Sequence, residues 1–136
     1  MIACVMLLTM AGGCPFQGSV YDDDLVGGYA VWATDVLEEA SIVLKRADGR
    51  GGVSVVPAMV FAYGYNDQFI IAKRRPAEYG RIKDTTIQWY IIGVQSKRVH
   101  GPLTEDEFQR LRNALRVPGN LSFTTEVNRH SGQSPF

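Results

Sequence analysis

Cysteine is nearly absent from this 136-residue chain, and the two that occur, Cys4 and Cys14, both lie in the opening stretch MIACVMLLTMAGGC. A disulfide-stapled scaffold is thereby excluded, so stability has to come from a hydrophobic core. Excess charge of either sign is also missing, because 14 Lys and Arg balance 14 Asp and Glu. No whole-molecule field draws such a chain onto a polyanion or an anionic membrane face, and no nucleic-acid partner is expected. The first apolar run, Ile2 to Met10 broken only by Thr9, is far shorter than the ~20 residues a membrane-spanning helix requires. Histidine is sparse, and neither His100 nor His130 sits in a G-x-S-x-G or H-E-x-x-H context. A catalytic histidine needs a nucleophile and an orienting acid, and a metal site needs further ligands. The sequence therefore assigns no catalytic residue, no metal and no cofactor.

What is present is ordinary for a globular chain: 46% apolar and 21% charged residues, enough for one domain with a core of its own. The opening stretch has a different character. Its apolar run fits the roughly 7–15 residues of a signal h-region, and Ala11-Gly12-Gly13 places small residues directly before Cys14, as the lipobox of a bacterial lipoprotein does. Cleavage there would make Cys14 the new N-terminus and carry acyl chains, each buried methylene contributing about 0.8 kcal/mol to membrane attachment. Two features depart from the pattern: Ala11 stands where leucine is commoner, and no Lys or Arg precedes the run. The competing reading makes residues 1–13 an apolar strand or helix packed in a cytosolic core.

The next residues, 14–24, include PFQGSVYDDD and read as a tether, with the three aspartates solvated. From Leu25 the runs are short and rich in β-branched and aromatic residues: GGYAVWATD, ASIVLKR, VSVVPAMVFAYGY, QFIIAKR and TIQWYIIGVQ. These are the marks of strands. Pro57 falls inside one run and signals a strand start or a bulge. Turns are expected at ADGRGG, at Gly64-Tyr65-Asn66-Asp67 and at Gln95-Ser96-Lys97-Arg98. One helix is predicted from Glu105 to about Arg116, with Thr104 and Glu107 forming a capping box and Phe108, Leu111 and Leu115 lining one face. Pro118-Gly119 stops it, and residues 128–136 read as a disordered tail. The expected fold is α+β: a mainly antiparallel meander of about five strands in residues 25–127, with one C-terminal helix packed on it.

In order and spacing, YDDDLVGGYAVW, VVPAMV, NDQFIIAKR, WYII and VHGPLTEDEFQRLRNAL resemble the bacterial domain-of-unknown-function family 3997, from Tyr21 to about Pro118. The chain departs from the family's pattern in the exchanged aromatics of WYII and in a shorter stretch between Arg75 and Thr85. The resemblance implies a small secreted or lipid-anchored protein of one recurring fold, and it implies no activity.

One basic concentration stands out: Lys73, Arg74 and Arg75, with Tyr79 nearby, form a possible binding surface for an anionic envelope partner. A solvated loop is the plainer alternative. Strand alternation puts Trp89 and Tyr90 on opposite faces, which leaves one of them available as an exposed aromatic. The functional expectation is a non-enzymatic binding or accessory module of the bacterial envelope, held at a membrane by lipid on Cys14, its envelope partner unknown. Two other readings compete: an envelope enzyme in which Asp67, Lys73 and His100 converge on a pocket, and a cytosolic interaction protein with a buried N-terminus.

Overall fold

A computed structural model describes residues 20–78, 81–82 and 86–127, with backbone alone at 77–78 and 81–82. The readings made for residues 1–19 and 128–136, including the fate of Cys14, lie outside the described residues. The strands are β1 (Tyr21–Asp24), β2 (Tyr29–Ala33), β3 (Ser41–Lys45), β4 (Gly52–Val56), β5 (Val60–Tyr65), β6 (Phe69–Arg74), β7 (Ala77–Glu78), β8 (Arg81–Ile82), β9 (Gln88–Gly93), β10 (Val99–Leu103) and β11 (Thr125–Glu126). Among the described residues a single 3-10 turn occupies Leu37–Glu39, and one helix, α1, spans Glu105–Ala114.

All strand pairing is antiparallel. The first sheet is the meander β1-β2-β3-β4, the second has the order β10-β9-β6-β5-β11, and β7-β8 form a small hairpin between β6 and β9. The α+β class with one helix holds, with the strands divided between two sheets. Pro57 marks the division: β4 ends at Val56 in the first sheet, and β5 begins at Val60 in the second. A proline supplies no ladder donor, so this is where the chain can leave one sheet for the other.

The second sheet is the middle layer. Ile70, Ala72, Tyr90 and Ile92 pack against Tyr29, Val31, Ile42 and Val56 of the first sheet. The alternate residues Ile71, Trp89 and Ile91 pack under Phe108, Val117 and Leu121 on the helix side. A sheet covered on both faces reads as a continuous apolar run, which is why FIIA and WYII show no polar alternation. It also removes the expected exposed aromatic: Trp89 is 9% and Tyr90 3% exposed, each in a different core.

The helix begins as its residues dictate. Thr104 is extended and its Oγ1 accepts the Glu107 amide at 3.2 Å, while Glu105, Asp106 and Glu107 put negative charge at the positive end of the helix dipole. It closes two residues earlier than the sequence suggested. The Val117 amide bonds the Arg112 carbonyl and the Arg116 amide the Asn113 carbonyl, a Schellman arrangement with Arg116 left-handed at φ 59°. Arg112 then donates to the carbonyls of Pro118, Gly119 and Leu121 and holds the returning chain. That chain crosses β5 at Gly64, where a Cβ would sit 1.9 Å from the Ser122 carbonyl oxygen. Only glycine allows this approach, and it lets Phe123 reach the rings of Trp89 and Phe108 at 5.6 and 5.9 Å.

Candidate functional site

The three consecutive cations do not form one patch, because strand alternation and the end of β6 send them to three places. Lys73 Nζ lies 4.5 Å from the ring centre of Trp89 and 4.3 Å from that of Phe123, on the helix side of the second sheet. Arg74 points the other way, its Nε donating to the Ala58 carbonyl at 2.9 Å and its Nη1 to Gln88 Oε1 at 2.6 Å. Arg75, just past the strand, lays its guanidinium over Phe61 at 4.4 Å. Tyr79 lies outside the described residues. Lys73 and Arg74 thus make contacts within the chain, and Arg75 lines a cavity.

That cavity is a cleft at one end of the two-sheet sandwich, lined by Leu37, Glu38, Met59, Val60, Phe61, Arg75 and Val127. It is a shallow, half-open cleft whose volume is about 50 Å³. Three backbone bonds build its frame. Val60 N–H donates to the Ala40 carbonyl at 2.9 Å, behind the 3-10 turn that presents Leu37 and Glu38. Arg75 N–H donates to the Met59 carbonyl at 3.1 Å, and Val127 N–H to the Phe61 carbonyl at 2.8 Å. Met59 is left-handed at φ 81°, a conformation costly for a side chain of its size. Phe61 is the extra residue of a bulge between Val60 and Ala62 in the β5-β6 register. Bulges re-aim side chains, and here the bulged residue is the ring on which Arg75 rests.

The aspartates of YDDD are not a solvated tether; they form edge strand β1, pairing residue by residue with β2. Their physical use follows from alternation. Asp22 accepts the Trp32 indole N–H at 2.9 Å and lies 3.8 Å from Lys45 Nζ, which also pairs with Asp24. The Asp24 hydrogen bond chiefly holds the Lys45 pKa above its ordinary value. Asp23 faces inward, where it accepts the Tyr63 hydroxyl, and that hydroxyl also lies 2.6 Å from the Tyr21 hydroxyl. Burial first, and then these bonds, push the Tyr63 pKa well above the tyrosine range. Burial alone raises that of Tyr29, whose buried hydroxyl has no partner among the described residues.

Asp67 lies in the β5-β6 turn, Lys73 against Trp89, and His100 on β10, so none of the three lines the cleft. Sequence reasoning missed Leu37, Glu38, Met59, Phe61 and Val127. Only Pro57, as a break in its run, hinted at the crossing between sheets that brings them together.

Two packed antiparallel sheets with one helix on the outer face, and an apolar cleft at the end of the sandwich, define a small three-layer domain. A family model described as protein of unknown function (DUF3997) matches residues 26–128, and the chain belongs to that family. No curated protein and no solved structure matches it.

Proposed function

We propose that this is a lipid-anchored protein of the bacterial envelope whose domain is a binding or accessory module, with the Arg75 cleft as its binding site. The observation that carries the reading is the apolar run closing on Ala11-Gly12-Gly13-Cys14 only a short lead ahead of Tyr21, the first residue of β1. An acylated Cys14 would hold the domain at a membrane on its extracytoplasmic side. A cleft with apolar walls and two charged side chains has the usual makeup of a small-ligand site.

The test is intact mass and detergent partitioning of the protein expressed in a bacterial host, beside Cys14→Ser. The reading requires loss of residues 1–13, a gain of acyl mass and entry into the detergent phase, all abolished in the variant. An unmodified full-length chain that stays in the aqueous phase would refute it.

A further inference from the structure

The cleft has five apolar lining residues and two charged ones of opposite sign, Arg75 and Glu38. Among the described residues, ion pairs within 4.0 Å involve Lys45 alone, so Arg75 and Glu38 share a cleft without neutralising one another. Arg75 sets its guanidinium carbon 4.4 Å from the ring centre of Phe61, a cation–π contact that occupies none of the guanidinium's N–H donors and leaves them for a carboxylate. Glu38 is an exposed residue of the 3-10 turn, in which the Glu39 and Ala40 amides donate to the Val36 and Leu37 carbonyls, and it lines the cleft opposite in charge to Arg75. A ligand that used every feature would carry a carboxylate for Arg75, an ammonium for Glu38 and an apolar body for Leu37, Met59, Phe61 and Val127.

We infer that the cleft takes a small zwitterion with an apolar side chain: a free hydrophobic amino acid or a very short peptide. An acyl carboxylate would satisfy Arg75 and the apolar walls, but its negative head would gain nothing from Glu38. The inference rests on the cleft being a binding site and does not depend on the lipid anchor.

The experiment is a titration of the isotope-labelled full chain, followed by amide chemical shifts, with four probes: leucyl-leucine, its N-acetyl derivative, its C-terminal amide, and dodecanoate. Leucyl-leucine should shift the amides around Met59, Phe61, Arg75 and Glu38 with a Kd on the order of 1 mM, and each blocked peptide should bind about tenfold more weakly. Arg75→Gln should abolish the difference between leucyl-leucine and its amide, Glu38→Gln the difference between leucyl-leucine and its N-acetyl derivative, and Arg75→Lys should keep most of the affinity. Equal binding of all three peptides, or binding of dodecanoate alone, overturns the zwitterion while leaving a binding cleft. Silence of these amides toward every probe overturns both. The probe series on the unmutated chain stands even if a variant fails to fold.

Discussion

The helix-covered face of the second sheet and the edge strand β1 are held by opposite kinds of force. Under the helix, Trp89, Phe108 and Phe123 bring their ring centres within 4.8 to 5.9 Å of one another, and Phe108 is wholly buried. Burial of this kind is non-directional and holds no charge for salt to screen or moderate pH to titrate. Beyond its backbone ladder with β2, strand β1 contributes one apolar side chain to the core, the partly buried Tyr21, and docks its other side chains through carboxylates: Asp23 to Tyr63, Asp22 to Trp32 and Lys45, Asp24 to Lys45. Polar docking contributes little net free energy per contact, since each replaces bonds to water. The contrast teaches that the domain has a rigid centre and a more readily opened margin, and that the margin is the side on which the N-terminal lead enters.

Mutation should make that contrast measurable. The largest effect is expected from Phe108→Ala, which empties a fully buried aromatic site and should cost about 3–5 kcal/mol in denaturant unfolding. Tyr63→Phe leaves the shape of the inter-sheet core intact but takes the donor from Asp23, for a loss of about 1–3 kcal/mol.

The same residue makes an alkaline prediction. The folded chain keeps the Tyr63 and Tyr29 protons above the ordinary tyrosine value of 10.0, while the unfolded chain releases them there. Their stabilisation is complete below pH 10.0 and declines as the pH rises past it, toward each group's folded-state pKa, at no more than about 1.4 kcal/mol per pH unit for each group. Tyr63→Phe should remove one group's share of that slope.

Arg116→Gly acts with the opposite sign. The left-handed residue closing the helix is one that glycine adopts without strain, so unfolding should need about 1 kcal/mol more. The smallest effect belongs to Lys45→Met, the β3 side chain that pairs with Asp22 and Asp24 at the exposed rim of β1. Its destabilisation should shrink as salt is raised, whereas that of Phe108→Ala should not.

Where local chemistry decides the structure, the sequence was readable. Thr104 and Glu107 set the start of the helix, and Asn66, whose Oδ1 takes the amides of Gln68 and Phe69, made a β5-β6 turn at 66–68, two residues later than Gly64-Tyr65 suggested, since both of those stay in β5. The apolar strands were also legible, because a doubly covered sheet writes itself as unbroken runs. What could not be read depends on partners distant in the chain. Asp22, Asp23 and Asp24 look like a tether until Lys45, Trp32 and Tyr63 are placed around them. Trp89 and Tyr90 looked like a choice between buried and exposed because nothing local says that a sheet will be covered on both sides. The triplet Lys73, Arg74 and Arg75 looked like one surface, and Phe61 gave no sign of the guanidinium it would carry. The cleft followed from a change of sheet at Pro57, which sequence marks only as a break.

Native-state hydrogen exchange across a denaturant series tests the contrast most directly. If the account holds, the paired amides of Asp22–Asp24 exchange through a local opening well below the global unfolding free energy. The amides of Ile70–Ala72 and Trp89–Ile92 should then exchange only when the whole domain unfolds. Protection of β1 equal to that of β6 and β9 would contradict the account.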